Sequence, residues 1–274
     1  SDVCSSDLDI LVAELEYKLY RSVFYSRGEI YITLEEFKSQ LNKIKTLVIE
    51  QHQSLYLDEL ESLIIKVNLF GFHFASLDIR QNSKIHDAVF KDIYDFYIKS
   101  NESVFPKNNY DLSEQDKFEV LSNVKGALNP DDFENEITRL TIESIQAIKV
   151  IQGNNGELGA NRYIISNNEN ALNVMETFAL IRLSDWENPT VDVVPLFESV
   201  DDLLNAHNVM EQLYTNPVYA NHLVNREMKQ TIMLGFSDGT KDGGYLMANW
   251  SIYKAKEELT AISRKYGIKV IFFD

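Results

Sequence analysis

The stretch TIMLGFSDGTKDGG, Thr231–Gly244, decides the fold class of this chain. An apolar run opens it, four of the chain's 11 glycines fall in its last ten residues, and an amphipathic pattern follows from Tyr245 to Lys265. These features predict a buried strand, a loop over 235–244 and a long helix. A second apolar run, Ile268–Phe273, predicts a further strand. This order is typical of a parallel sheet, because parallel strands need crossover connections.

The same alternation extends back to residue 71. Strands are predicted at 71–81, 161–166, 192–197, 231–236 and 268–273. Helices are predicted at 84–99, 113–125, 131–152, 171–182 and 199–214, then from Asn216, and at 245–265. Strands that alternate with helices indicate an α/β fold with a parallel sheet or barrel. Five strands fall short of a closed eight-stranded barrel.

The chain before residue 71 differs in character from the rest. Three amphipathic helices are predicted at 10–25, 33–49 and 54–69, and we expect residues 9–70 to form a helical layer. The first eight residues, SDVCSSDL, are polar, lack a helical period and are similar to a translated sequencing adapter. We therefore expect residues 1–8 to be a non-native segment.

Composition excludes several classes of protein. The net charge is −16 and the pI is about 4.7, which argues against unaided nucleic-acid binding and against an anionic membrane surface. No apolar run approaches the roughly 18 to 20 residues of a membrane span. Cys4 is the only cysteine, so a disulfide framework is excluded. A cytoplasmic location is the default expectation.

Polar residues collect where the predicted strands end, which is where α/β folds place their reactive groups. Glu198 and Asp238 follow two neighbouring strands and could together hold Mg²⁺ or Mn²⁺, or each could cap the next helix. Arg80 could bind a phosphate or carboxylate, or form a salt bridge with Asp78 or with an acidic helix. Lys241 could face a substrate anion or be an ordinary solvated lysine.

The histidines do not suggest a site. His73 lies in an apolar run and is expected in the core. The other four, His52, His86, His207 and His222, fall on helical patterns and are expected at the surface. With one cysteine and no histidine cluster, neither a zinc site nor a Ser-His-Asp arrangement is indicated.

Four motifs carry a resemblance to a known family. FGFHFASLDIRQNS, NRYIISN, VVPLFESVDDLLNA and IMLGFSDGTKDGGYLMANWSIYKAKEEL occur in the order seen in phosphoenolpyruvate carboxylases. The resemblance covers residues from about 9 to 274. Two departures are Gly239, where the family commonly has Ser, and Asn167, where Met is usual.

The resemblance implies an eight-stranded β/α barrel embedded in helices. The chain would be a helix-rich α/β protein holding about five strands of an incomplete (β/α)8 TIM-type barrel, with residues 71–274 as the barrel portion of the catalytic domain. The implied reaction is that of a lyase, in which phosphoenolpyruvate and bicarbonate give oxaloacetate and phosphate, an anaplerotic carbon fixation that feeds the tricarboxylic acid cycle.

The resemblance also implies roles for individual residues. Glu198 and Asp238 would be the ligands of Mg²⁺ or Mn²⁺. Arg80 and Lys241 would be catalytic, and both would bind substrate together with Gln81. Bicarbonate would attack phosphorus to give carboxyphosphate and an enolate, and the enolate would then capture CO₂.

Other parts of the family pattern are expected outside this stretch. A histidine-bearing motif would lie upstream of residue 9, and a Gly/Arg-rich loop would follow Asp274. We therefore expect an internal fragment that is inactive alone, from a full-length homotetramer. Two alternatives stay open: a non-catalytic helical scaffold with barrel remnants, and another metal-dependent lyase of the phosphoenolpyruvate/pyruvate barrel type.

Overall fold

A computed structural model describes residues 7–25, 31–100, 104–106 and 111–273. Within those ranges the chain forms ten α-helices and five β-strands, and it divides into two compact units. Most of the expected adapter segment, residues 1–6, lies outside the described residues. Its last two residues, Asp7 and Leu8, belong to the first helix.

The first unit consists of residues 1–76 and 150–159. Its three complete helices are α1 (Asp7–Phe24), α2 (Leu34–Gln51) and α3 (Leu57–Phe70), which confirms the three helices predicted there. Thr33 caps α2 by accepting a hydrogen bond from the Glu36 backbone N–H at 3.1 Å. The buried apolar side chains in the core of this unit are Leu15, Ile32, Phe37, Leu41, Ile44, Val48 and Val67.

The second unit consists of residues 77–149 and 160–274. Its strands are β1 (Asp78–Asn82), β2 (Arg162–Ser166), β3 (Asp192–Phe197), β4 (Lys229–Leu234) and β5 (Lys269–Phe273). The helices that follow them are α4 (Ser83–Ser100), α5 (Glu114–Asn123), α6 (Glu136–Asn155), α7 (Ala171–Leu183), α8 (Val200–Thr215), α9 (Pro217–Asn225) and α10 (Phe236–Lys265). The last turn of α6 is counted with the first unit.

The five strands form one parallel sheet in the order β1-β2-β3-β4-β5. This confirms the predicted helix-rich α/β class and the parallel sheet. The sheet is not closed, since β1 and β5 each pair with one other strand in the described chain. In the register of β1 and β2, Arg80 lies beside Ile164, and Ile164 lies beside Val194 of β3.

The two faces of the sheet bury different amounts of apolar surface. One face, which includes Tyr163, Ile165 and Phe197, packs against helices in the large core of the unit. Burying one such side chain contributes about 1.5–3 kcal/mol. The other face carries a small cluster, Ile164, Val194, Leu196, Met233 and Phe273. Side chains alternate along a strand, so Arg80 lies on this second face.

Two predicted element starts were wrong. The strand predicted over 71–81 begins only at Asp78, because residues 71–74 form a turn after α3. The helix predicted from residue 131 begins at Glu136. Asn129 and Pro130 do act as a start signal, but for a single 3₁₀ turn, Pro130–Asp132. A Pro at the first position suits either kind of helix, so the signal could not distinguish them.

Two histidines expected at the surface are buried. His86 contacts the Thr177 hydroxyl at 3.1 Å and the Tyr163 hydroxyl at 3.0 Å, and burial lowers its pKa to about 4. His222 packs against the Phe178 ring, and burial followed by nearby arginines lowers its pKa to about 3. Each histidine lies on the buried stripe of its helix, since His86 is three residues before Val89 and His222 is three residues after Tyr219.

None of the helices in the described residues is long and apolar enough to cross a bilayer.

Candidate active site

Arg80 and Glu198 meet although 118 residues separate them. Arg80 is in β1, and Glu198 directly follows β3, so β2 lies between their strands. The Arg80 Nη2 atom donates to Glu198 Oε1 at 3.1 Å. The Arg80 side chain is 50% exposed and that of Glu198 is 19% exposed. A solvent-facing guanidinium is thus anchored on a largely buried carboxylate.

Asn167, which immediately follows β2, fixes the second oxygen of Glu198. Its backbone N–H donates to Glu198 Oε2 at 2.8 Å. Its φ of 53° lies in the left-handed region, which Asn adopts more readily than most residues. The Ser83 hydroxyl donates to the Asn167 carbonyl oxygen at 2.6 Å, which ties this turn to the end of β1. In the sequence, Asn167 stands directly after a predicted strand, and that position is the signal for a role at the strand ends.

Glu198 does not cap the next helix. Ser199 caps α8: its side chain accepts from the Asp202 N–H, and the Asp202 carboxylate accepts from the Ser199 N–H. This capping box satisfies donors that Glu198 would otherwise have served. The capping alternative for Glu198 is therefore wrong, and its carboxylate is held by Arg80 and Asn167 instead.

The glycine-rich segment 235–244 is mostly helical, so the predicted loop was wrong. Helix α10 begins at Phe236 and breaks only at Gly244, where φ is 80° and ψ is 168°. A positive φ favours glycine, which has no Cβ to clash. Gly235 has a different reason: a Cβ there would lie 3.2 Å from both Cα and Cγ of Glu198. The glycine lets the start of α10 approach the Glu198 side chain.

The early turns of α10 bring Asp238 and Lys241 near Glu198, since a Cβ at Gly239 would lie 3.4 Å from the Glu198 carbonyl oxygen. Lys241 Nζ donates to Asp238 Oδ1 at 2.6 Å. Asp238 raises the pKa of Lys241 by this hydrogen bond and by its charge, and the charge of Glu198 also raises it. Lys241 therefore lies within electrostatic range of both predicted metal ligands. Asp242 fastens this turn to α8, because its Oδ2 accepts from the Val200 N–H at 3.0 Å.

Two further predictions concern β1: the pairing of Asp78 with Arg80 and the role of Gln81. Asp78 pairs with Arg162 at 2.9 Å, so the alternative in which it neutralises Arg80 is wrong. Gln81 alternates with Arg80 along the strand and so faces the other side of the sheet. Its Oε1 accepts from the Asn82 N–H at 2.9 Å. As a substrate-binding residue, Gln81 stays a prediction.

Glu198 and Asp238 retain the capacity to bind a cation. Each Glu198 oxygen accepts one hydrogen bond, and a carboxylate oxygen has two lone pairs. Asp238 Oδ2 accepts no hydrogen bond from any residue that the structure describes. Among those residues no group of three His, Cys, Asp or Glu side chains could share a metal. Two carboxylates fit Mg²⁺, which keeps waters and substrate oxygens in its other positions, but not a structural zinc.

Comparison with known proteins identifies the family of the chain. The profile of the family described as phosphoenolpyruvate carboxylase matches residues 12–274. A phosphoenolpyruvate carboxylase from Nitrosomonas eutropha is 33% identical over 259 residues, which are 90% of this chain and 27% of the relative. One from Nitrosomonas europaea is 31% identical over 261 residues, with the same shares covered. The chain thus spans about a quarter of the curated relatives it matches. A match over nearly all of its length means that the chain belongs to the phosphoenolpyruvate carboxylase family.

Proposed function

We propose that this chain provides the metal-binding and phosphate-binding part of an enzyme that carboxylates phosphoenolpyruvate with bicarbonate. The observation that carries the proposal is the group of four charged side chains at the strand ends, Arg80, Glu198, Asp238 and Lys241. It supplies carboxylates for a hard cation and cations for an anionic substrate in one place. The chain covers about a quarter of its relatives' length, so we propose further that it has no catalytic activity by itself.

Charge balance supports this reading. The two carboxylates and the two cations neutralise each other, so a bound divalent ion would leave a net positive site for the phosphate and carboxylate of the substrate. Arg80 is suited to phosphate, because a guanidinium presents parallel donors to two oxygens. Lys241 is 76% exposed and can move from Asp238 toward a ligand.

The proposed reaction breaks two bonds, from phosphorus to the enol oxygen and then from carbon to the bridging oxygen of carboxyphosphate, and it forms two. A bicarbonate oxygen attacks phosphorus, the bond from phosphorus to the enol oxygen breaks, and carboxyphosphate and an enolate result. Carboxyphosphate releases CO₂ and phosphate, and the enolate carbon bonds to CO₂ to give oxaloacetate. Arg80 would hold the phosphoryl oxygens, while Lys241 would stabilise negative charge near the enolate. A divalent ion bound by Glu198 and Asp238 would supply further stabilisation of the developing negative charge.

We also infer that the five strands are an arc of a β/α barrel. Their spatial order follows the chain order, as in a singly wound barrel. The Arg162 guanidinium of β2 lies 5.3 Å from the centre of the Phe273 ring of β5, although β3 and β4 lie between those strands. Contact across that face supports a curved sheet.

The proposal predicts a metal site that depends on two residues. Mn²⁺ binding to the 274-residue chain can be followed by the loss of the paramagnetic resonance signal of free Mn²⁺. Glu198→Gln or Asp238→Asn should weaken binding at least about 100-fold, since even changes behind a metal ligand cost 10–100-fold. Glu187→Gln, which alters an exposed ion pair with Lys125, is the matched control and should bind normally.

Two further measurements separate the alternatives. Phosphoenolpyruvate should bind the chain more tightly with Mn²⁺ than without it, and the chain alone should form no oxaloacetate from phosphoenolpyruvate and bicarbonate. Unchanged Mn²⁺ binding in both variants would favour the scaffold reading. Metal-dependent turnover of phosphoenolpyruvate at a rate that does not depend on bicarbonate would favour a different lyase.

A further inference from the structure

A cavity lies among the helices of the second unit. It has a volume of about 260 Å³ and opens between α4, α5 and α7. Its lining residues are Asp87, Phe90, Lys91, Tyr94, Phe105, Lys117, Leu121, Leu172 and Glu176. None of these belongs to the group at the strand ends.

Glu176 is the unusual member of this lining. It is 8% exposed, and its Oε2 atom is buried with no hydrogen-bond partner among the described residues. A buried acceptor without a partner costs about 1–3 kcal/mol, so native chains seldom keep one without a reason. The Tyr94 hydroxyl, which also borders the cavity, donates instead to the Pro106 carbonyl oxygen at 3.0 Å.

Burial governs the charge of Glu176. Burial, followed by the charge of Asp87 and a hydrogen bond with its carboxyl group, raises the pKa of Glu176 to about 9. Asn173 and Lys117 act in the opposite direction. At neutral pH Glu176 is therefore protonated, and a cation that binds beside it would favour its ionisation.

The walls and the mouth of the cavity define what it would accept. Phe90, Tyr94, Phe105, Leu121 and Leu172 supply aromatic and aliphatic surface. The charged side chains around Glu176 are Asp87 and Lys91 on α4, both exposed, and Lys117 on α5, partly exposed. A cavity of roughly 150 Å³ holds one benzene ring, so this larger one has space for a ring and a short chain.

We propose that this cavity binds a small amphipathic cation, an apolar ring or chain that carries a primary ammonium group. The ammonium would donate to the free oxygen of Glu176 and face Asp87, and the apolar part would pack on the aromatic walls. Asp87 acts on Glu176 by its charge and by a hydrogen bond, whereas of the two lysines only Lys117 acts on it, and more weakly, which favours a cation over an anion at the base of the cavity. This inference does not rest on the proposed carboxylation.

The first test uses three probes of one shape on the unmodified 274-residue chain. Calorimetry would compare 2-phenylethylammonium with neutral 2-phenylethanol and anionic 3-phenylpropionate. The ammonium should bind at least tenfold more tightly than either of the others. It should also release protons on binding, and its affinity should rise by up to tenfold per pH unit between pH 7 and about 9, because Glu176 must ionise. Tighter binding of the anion, or no binding of the ammonium, would overturn the proposal.

Variants then locate the site. Glu176→Gln keeps the shape of the side chain and should lose at least tenfold in ammonium affinity together with the proton release. Leu172→Phe, which narrows the cavity, should weaken all three probes. Glu119→Gln, an exposed acid on α5, is the matched control and should change nothing. Ammonium binding that survives in both cavity variants would refute the placement.

Discussion

Two glutamates of the second unit show how differently one fold can treat a carboxylate. Glu198 follows a strand, where the ends of β1 and β2 provide Arg80 and the Asn167 N–H as partners. Glu176 lies in α7, a helix buried on nearly every side, and its Oε2 has no partner in the described chain. Strand ends gather polar groups from several segments, whereas a helix packed among helices meets mainly apolar side chains. In the two proposals above, the strand-end acid binds a cation beside its existing partners, and the helical acid binds one after it loses a proton.

The largest expected effect concerns the pH dependence of stability at Glu176. Its pKa is raised from 4.5 to about 9, chiefly by burial. Between those values the unfolded chain is ionised while the folded chain keeps the proton, so this residue makes the fold less stable as pH rises. The slope is at most about 1.4 kcal/mol per pH unit. From pH 5 to 8, Glu176→Gln should therefore gain up to about 4 kcal/mol relative to the unmodified chain.

Urea unfolding followed by tryptophan fluorescence measures this difference. The chain has two tryptophans, Trp186 and Trp250, and both lie in the second unit with Glu176. Glu119→Gln is the control, and its free energy of unfolding should change with pH in the same way as that of the unmodified chain. If the free energy of unfolding of Glu176→Gln also changed with pH as that of the unmodified chain does, Glu176 would not keep its proton in the fold.

A smaller effect, of opposite sign for metal and for substrate, is expected at Arg80. Arg80→Gln removes a positive charge from the Glu198 carboxylate, so Mn²⁺ should bind about threefold to tenfold more tightly. Phosphoenolpyruvate should bind at least about tenfold more weakly, because a bidentate donor is lost. Calorimetric titrations with each ligand measure both changes.

The control for Arg80 is another cation paired with an acid. Lys254→Gln removes the partner of Glu257 on an exposed stretch of α10 and should alter neither affinity. If Arg80→Gln weakened Mn²⁺ and phosphoenolpyruvate binding alike, the main role of Arg80 would be to hold Glu198 in position for the metal rather than to compete with it.

The smallest effect is expected at Gly235. Its Cβ would crowd Glu198 at 3.2 Å, so Gly235→Ala should cost about 1 kcal/mol of stability and weaken Mn²⁺ binding by displacing that side chain. Gly153→Ala is the comparison, since a Cβ at this position of α6 meets nothing within 4 Å. It should be neutral or stabilise by up to about 1 kcal/mol. Equal effects of the two substitutions in the urea and Mn²⁺ measurements would show that Gly235 is not required for close approach.

The local pattern of the sequence determined most of the elements. Alternating apolar runs and amphipathic stretches predicted the helices and the five parallel strands, because hydrophobic periodicity follows directly from backbone geometry. The glycine-rich segment misled the prediction, since glycine favours loops locally. In the fold, Gly235 allows close packing against Glu198, and Gly244 is the one glycine of this segment that has a positive φ.

The sequence by itself determined which residue types stand at the strand ends, and so identified Arg80, Glu198, Asp238 and Lys241 as candidates. Only the tertiary structure decided their partners: Arg80 pairs with Glu198 rather than with Asp78, and Ser199 rather than Glu198 caps the next helix. It also decided that Glu176 is buried. Partners and burial depend on which distant segments meet, and the order of residues along one strand or helix does not contain that information.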